Sequence, residues 1–323
     1  MKVPFVDLSR EANFCIEELL SSTKKVLESG FYINGPNVKK LEDDLAKYIG
    51  VKHIISIGNG SDGLTFIMKA LELKNDDEVI CPANSFIASS WSIKAAGAKP
   101  VFCDVLDDLL IDIDDLKSKI TQKTKAVMPV HLTGRVCNME AIYSICEDKN
   151  INIIEDAAQS FGASNNLGKR AGSLSAAASF SLHPLKNFAI YGDGGFISTD
   201  SDILAEKIKL LRNHGLKNRD ESIIWGYNSR LDELQAAFAL VNPRKKNHLK
   251  RNDEFIIQSL SWSTSLWPMI QAGLKPKFVD VTMNNFNINI ESLRSKISSK
   301  TKAIMLVHVL GCSSNIQEIK MLA

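Results

Sequence analysis

The chain has 323 residues, 45% of them hydrophobic and 24% charged, with 39 Lys and Arg set against 37 Asp and Glu. That composition describes a globular protein with a large core, long enough for two domains. A net charge of +2 without a long basic block excludes nucleic acid and an anionic membrane surface as expected partners. The opening MKVPFVDLSR lacks the apolar core of a signal peptide, and no run is long enough to span a bilayer. Cys15, Cys81, Cys103, Cys137, Cys146 and Cys312 form no C-x-x-C pair. They read as buried, reduced thiols in a cytoplasmic protein with no metal site.

In chain order, short runs rich in Val and Ile alternate with helical stretches. HIISIG, from residue 53, precedes SDGLTFIMKALEL; EVICPA, from 78, precedes SFIASSWSIKAAG; KPVFCDV follows from 99. TKAVMPVHL, from 124, precedes NMEAIYSICEDKN. INIIEDAA, AAASFSL and GGFIST supply three further strands, and DILAEKIKLLRNHG a further helix. Strands that are continuously apolar rather than alternating predict an α/β fold whose mainly parallel sheet is covered by helices on both faces. Ligands of such sheets gather at the carboxyl ends of the strands.

Three polar clusters fall at those ends. GNGSDGL, residues 58–64, runs two glycines into a helix whose first N–H groups suit a phosphate dianion. Ser61 adds a hydroxyl and the Asp62 amide is a further expected donor; an ordinary strand-to-helix turn with Ser61 as N-cap is the alternative. In IIEDAAQSFGA, residues 153–163, Asp156 follows directly on a buried strand and needs a cationic partner, which a protonated pyridine nitrogen would supply. A helix N-cap is the alternative, and Gln159 fits either as a capping-box partner or as a ligand to a ring substituent. In SFSLHPLKNFAIYGDGGF, residues 179–196, Lys186 reads as lying at the end of a buried strand. Apolar surroundings make a lysine costly to charge, so its amine becomes available as a nucleophile. A surface-loop lysine is the alternative. Ser181, five residues earlier, is placed to reach the same phosphate. An imine-forming lysine, an acid for a ring nitrogen and an anion cradle are together the parts a pyridoxal phosphate site requires.

The first 255 or so residues resemble the DegT/DnrJ/EryC1/StrS family of sugar aminotransferases, which has the pyridoxal phosphate-dependent transferase fold of type I. The resemblance rests on VPFVDL, FYINGPNVKKLEDDLAKYIGV, GNGSDGL, CPANSFIASSWSIKAAGAKPVFCDV, PVHLTG, IIEDAAQSFGA, SFSLHPLKN with YGDGG, LRNHG and GYNSRLDELQAA, in that order. It implies that Lys186 is the Schiff-base lysine and that Asp156 pairs with the ring nitrogen of pyridoxal 5'-phosphate. It further implies that Gln159 touches the ring oxygen, that Phe86 stacks on the ring, and that Ser61, Asp62 and Ser181 cradle the phosphate. Asn228 matches a residue that reaches the phosphate of the neighbouring subunit, which implies a homodimer. The implied reaction moves an amino group from an amino acid, usually glutamate, to a keto group on a nucleotide-linked 6-deoxyhexose, with dTDP-linked 3-keto sugars as the nearest match. His131 and His183 read as packing or hydrogen-bonded histidines, and Arg135 and Arg230 as surface or interface pairs.

Beyond residue 255 the family pattern calls for a smaller domain, yet the chain repeats itself. SFIASSWSIKAAGAKPVFCDV returns as SWSTSLWPMIQAGLKPKFVDV from 261, and LKSKITQKTKAVMPVHLTG as LRSKISSKTKAIMLVHVLG from 293. The register is 176 residues as far as Val105/Val281 and 177 from Leu116/Leu293, pairing Trp91 with Trp267 and His131 with His308. Residues 256–323 are thus expected to duplicate 85–139 in part. The copy resembles the sugar dehydratase branch of the same superfamily and stops before equivalents of Asp156 and Lys186. Two functions follow: an aminotransferase, or a non-catalytic remnant that binds cofactor or pairs with an intact paralogue. A dehydratase is a third, disfavoured because that branch puts histidine where Lys186 stands.

Overall fold

The computed structural model describes residues 6–241, 249, 252–261, 265–266, 269–270 and 272–323. Residues 3–5 of the VPFVDL stretch and Trp267 of the repeat lie outside the described residues. The chain divides into two compact units, Met1–Pro243 and Arg244–Ala323.

In the first unit, α1 (Leu8–Phe14), α2 (Ile16–Ser29) and α3 (Pro36–Ile49) precede β1 (His53–Ile57) and α4 (Gly60–Ala70). The alternation continues through β2 (Glu78–Pro82), α5 (Ala88–Ala96), β3 (Lys99–Cys103), α6 (Ile113–Lys119), β4 (Thr124–Val127) and α7 (Met139–Cys146). After β5 (Asn152–Asp156), β6 (Ala177–Ser181) and β7 (Gly195–Thr199) come α8 (Asp202–Arg212) and α9 (Glu233–Val241). The seven strands lie in the order β1-β7-β6-β5-β4-β2-β3, and only β7 runs against the others. The expected, mainly parallel α/β sheet is therefore present.

Successive strand residues point to opposite faces, and both faces are covered, so apolar residues fall at adjacent positions in these strands. Ile154, Val79 and Ile197 meet Phe66 and Ile67 of α4, Ile93 of α5 and Ile208 of α8 on one face. On the other, Ile80, Val127 and Ile153 meet Leu116 of α6 and Ile142 of α7, while Ile54, Phe180 and Phe196 meet Leu41 of α3 and Ala236 of α9.

The start of α3 is held from a distance. Glu233, fully buried, accepts hydrogen bonds from the backbone N–H groups of Gly35 at 3.0 Å, Val38 at 3.2 Å and also Asn37. A carboxylate here satisfies orphan donors and complements the helix dipole. Glu233→Ala is expected to lower unfolding free energy by about 2–3 kcal/mol, read from urea denaturation, because buried donors lose their acceptor.

Five cysteines are buried, but Cys312 is exposed, which corrects the expectation that all six are. Burial pushes the Cys81 and Cys103 thiols up to about 12 and Cys146 to about 11. Thiolate is the reactive form, so a thiol reagent should label Cys312 rapidly in the native chain and the other five only after denaturation, as peptide mapping would show.

The second unit contains β8 (Glu254–Gln258), β9 (Lys275–Val279), α10 (Ile290–Lys296), β10 (Thr301–Met305) and α11 (Ile316–Leu322). Its parallel strands are ordered β10-β8-β9, as β4-β2-β3 are in the first unit. The likeness extends to local geometry. Leu310 (φ 54°) repeats the left-handed Thr133 (φ 58°), and the Ser314 N–H donates to His308 Nδ1 at 3.2 Å as the Cys137 N–H does to His131 Nδ1. The division expected at residue 255 falls inside β8, which pairs with β9 and β10 and so belongs with the second unit. This strand escaped the repeat comparison because EFIIQ keeps the apolar character of EVICP with few of its residues. Small clusters cover both faces of the sheet, around Ile256, Val279 and Leu293 on one and Phe255, Ile257 and Leu274 on the other.

Candidate cofactor site

A cavity of about 440 Å³ opens at the carboxyl ends of β2, β4, β5 and β6. Ser61, Phe86, Asp156, Gln159, Ser181 and Lys186 all line it, which brings together six of the eight residues expected from sequence.

Asp156 ends β5 and is 6% exposed. Its Oδ2 accepts a hydrogen bond from Ser89 Oγ at 2.7 Å and its Oδ1 one from the Ala158 N–H at 3.2 Å. No helix follows it, so Asp156 is not an N-cap and Gln159 is not a capping-box partner. Ser181 ends β6, its Oγ accepting from the His183 N–H at 3.3 Å. Lys186 lies in the loop beyond, not at the strand end expected, and is half-buried there. Its backbone N–H donates to the His183 carbonyl at 2.8 Å, closing the turn that aims this segment at the cavity.

The cradle is built from α4. Asn59, rather than Ser61, is the N-cap: its Oδ1 accepts from the Asp62 N–H at 2.8 Å. The Asp62 amide is therefore engaged and not the open donor expected. As the first two residues of the helix, Gly60 and Ser61 have no carbonyl within it to receive their N–H groups. Gly195 makes the close approach possible. A Cβ there would sit 2.7 Å from the Phe180 carbonyl oxygen and 2.8 Å from the Asn59 carbonyl carbon. The last glycine of YGDGG thus lets the turn before α4 press onto β6 and β7.

Asp62 and Asn228 line a neighbouring cavity of about 350 Å³ with Ser229 and Arg230. The Asp62 carboxylate accepts from Ser229 Oγ at 2.6 Å and Asn59 Nδ2 at 2.9 Å. Arg230 Nη1 donates to Asn213 Oδ1 at 2.8 Å, and Arg135 Nη1 lies 3.3 Å from Asp108 Oδ2, so both arginines are paired. His131 is fully buried between the Cys137 N–H and Glu155 Oε2, at 2.9 Å from the latter, in the hydrogen-bonded role expected. His183, in contrast, is exposed and lines the cofactor cavity. Sequence reading missed Asp193, Ser85 and Ser89. Asp193 sits inside the YGDGG motif; Ser85 lies in the turn before α5 and Ser89 in its first turn, where hydroxyls carry no signal of their own. Among the described residues, no group of three or more His, Cys, Asp and Glu could hold a metal ion.

The family model for the DegT/DnrJ/EryC1/StrS aminotransferases matches residues 14–248 and again 239–323. The chain belongs to this family. Within it, the chain is 47% identical over 238 residues to the dTDP-3-amino-3,6-dideoxy-alpha-D-galactopyranose transaminase of Aneurinibacillus thermoaerophilus, covering 73% of this chain and 65% of that protein. It is 42% identical over 288 residues to the UDP-2-acetamido-2-deoxy-3-oxo-D-glucuronate aminotransferase of Pseudomonas aeruginosa, covering 88% and 78%. The crystal structure of DesV from S. venezuelae, in complex with a ketimine intermediate, superposes with a TM-score of 0.72 at 35% identity, covering 76% of this chain and 66% of that one. The chain thus spans about two thirds of the length of several relatives, 65% of the Aneurinibacillus enzyme among them. The second family match shows that the repeated segment comes from the same family as the first unit.

The family is pyridoxal phosphate-dependent, and the residues present fit that cofactor. Ser61, Ser181 and Lys186 line one cavity with Gly60 at the start of α4, where the first helix amides suit an anion, and the buried Asp156 carboxylate at the end of β5 lines it too. Among the described residues no helix is long and apolar enough to cross a membrane.

Proposed function

We propose that this chain is a sugar aminotransferase that uses pyridoxal phosphate to move an amino group from an amino acid, glutamate first, to a keto group on a nucleotide-linked sugar. The supporting observation is the convergence of Lys186, Asp156, Gln159, Phe86, Ser61 and Ser181 on one cavity. Bound there, the cofactor supplies an aldehyde to carry the amine and a ring to delocalise carbanion charge. The protein's part is positional and proton-handling. Lys186 Nζ would hold the cofactor through its aldehyde and, once displaced by the donor amine, would move the proton at the reacting carbon. Asp156 would keep the ring nitrogen protonated, Gln159 would meet the ring oxygen, Phe86 would cover the ring, and Ser61 and Ser181 with the Gly60 and Ser61 amides would hold the phosphate.

For the acceptor, the relatives point to a sugar oxidised at carbon 3: one is named for a dTDP-3-amino-3,6-dideoxy sugar and another for a UDP-linked 3-oxo sugar. A dTDP-linked 3-keto-6-deoxyhexose is the first substrate to assay. Purified protein with pyridoxal phosphate, glutamate and that sugar should yield 2-oxoglutarate and the amino sugar in equal amounts. Cofactor uptake without either product would favour the second reading, a cofactor-binding chain without turnover. That reading draws on one observation: residues 254–322 repeat the fold of an earlier segment.

The active form proposed is a homodimer. Asn228 stands in a cavity beside the cofactor site rather than within it, where a partner's phosphate could be met. Large apolar side chains are also exposed on the first unit, among them Phe14 (74%), Phe31 (59%) and Trp225 (98%), an exposure that fits a covered face. Light scattering should return twice the chain mass; a monomer at micromolar concentration would remove Asn228 from the site.

A further inference from the structure

Asp156 does not stand alone at the end of β5. Ser89, in the first turn of α5 and 1% exposed, donates its hydroxyl proton to Asp156 Oδ2 at 2.7 Å. Ser85 Oγ lies 2.6 Å from Ser89 Oγ. A serine hydroxyl has one proton to give, and that of Ser89 is committed to the carboxylate, so the second bond runs from Ser85 to Ser89. The direction of the whole relay is thereby fixed: Ser85 to Ser89, Ser89 to Asp156. The Ser89 backbone adds a second tie, its N–H donating to the Phe86 carbonyl at 3.1 Å. One buried residue therefore links the carboxylate expected at the ring nitrogen to the aromatic expected on the ring face.

We propose that Ser89, with Ser85 behind it, is a positioning residue that sets the Asp156 carboxylate against the ring nitrogen of pyridoxal phosphate. The inference rests on the cofactor reading above and assigns a role within it. A carboxylate at a strand end is free to rotate about its terminal torsion. The Ala158 N–H restrains one oxygen and Ser89 the other, so the pair leaves one orientation. A hydroxyl donating to a charged acceptor is among the stronger hydrogen bonds, and its loss within the protein interior is felt by whatever Asp156 binds.

The test uses the full chain titrated with pyridoxal phosphate, followed by absorbance, and by the magnetic resonance signal of an isotopically labelled ring nitrogen. Ser89→Ala should raise the cofactor Kd about tenfold and move the ring-nitrogen signal towards its unprotonated position. Ser89→Thr, which keeps the hydroxyl, should restore both. In an Asp156→Asn background the same Ser89→Ala change should alter Kd by less than about twofold, since its route is then cut. An unchanged Kd and signal in Ser89→Ala would overturn the proposal, as would an undiminished loss in the Asp156→Asn background, which would mark a general packing role. Should Ser89→Ala fail to fold, Ser85→Ala takes its place, with an expected loss of about threefold and the same overturning result. If the unaltered chain takes up no pyridoxal phosphate, the cofactor reading itself fails and this inference with it; uptake by that chain with no effect of Ser89→Ala removes the inference alone.

Discussion

Lys186→Ala is expected to abolish borohydride-fixed retention of pyridoxal phosphate and to reduce amino transfer by roughly 10³–10⁴-fold, the scale of losing a positioned proton-transfer group. Lys186 is the one lysine among the described residues lining the cavity, so no neighbour stands ready to replace it. Lys186→Arg separates charge from chemistry. Guanidinium keeps its proton throughout the working range and cannot serve as the nucleophile. Arginine should therefore restore cavity charge without restoring turnover. Peptide mapping after borohydride reduction would place the fixed cofactor on residue 186 in the unaltered chain. A cofactor fixed elsewhere, or retained in Lys186→Ala, would remove this lysine from the chemistry and leave the remnant reading ahead.

What could be read from the sequence was what repeats along it. Strands such as INIIEDAA and GGFIST announce themselves because both their faces are buried, so apolar residues such as Ile153 and Ile154, or Phe196 and Ile197, fall side by side. The cavity residues were legible because strand ends and helix starts are punctuated by glycine and by isolated polar groups. Side-chain partners across the fold were not. Nothing in GNGSDGL decides between Asn59 and Ser61 as cap; the chain path after β1 does, and it leaves the Asp62 amide occupied. Nor does RLDELQAA reveal that Glu233 will hold three amides of FYINGPNV, a pairing about 200 residues apart in sequence. β8 failed for a different reason. Identity between the two copies is concentrated in turns, caps and strand ends, such as KPVFCDV and KPKFVDV, whereas a buried strand tolerates exchange of one apolar residue for another. A search by identity therefore begins one strand too late.

The largest stability effect is expected at Glu155, the neighbour that the sequence reading passed over in favour of Asp156. Successive residues of β5 point to opposite faces, so Asp156 meets the cavity while Glu155, fully buried, turns into the other layer. There its Oε1 accepts from the Leu174 N–H at 2.9 Å and Ser175 Oγ at 2.8 Å, and its Oε2 from the Gly172 N–H at 2.8 Å. His131 Nε2 stands 2.9 Å from the same Oε2. Since His131 Nδ1 accepts the Cys137 N–H, the ring proton sits on Nε2 and points at the carboxylate. One side chain thus satisfies four donors and ties the segment before β6 to β5. Glu155→Ala strands the Gly172 and Leu174 N–H groups and His131 Nε2, while the Ser175 hydroxyl keeps the Ala177 carbonyl at 2.9 Å; the loss should cost about 3–5 kcal/mol, the range for removing one partner from a buried charged network, visible as an earlier urea transition. Glu155→Gln keeps the shape but turns an NH₂ towards existing donors, so about 1–3 kcal/mol is expected. Because Asp156 adjoins it on the strand, cofactor should bind the alanine variant more weakly, and saturating pyridoxal phosphate should recover part of the stability by mass action. Equal damage from glutamine and alanine would mean that the charge itself, rather than the number of satisfied donors, holds this layer. An unshifted transition in both would mean that the segment is anchored by its apolar contacts, with Glu155 only filling space.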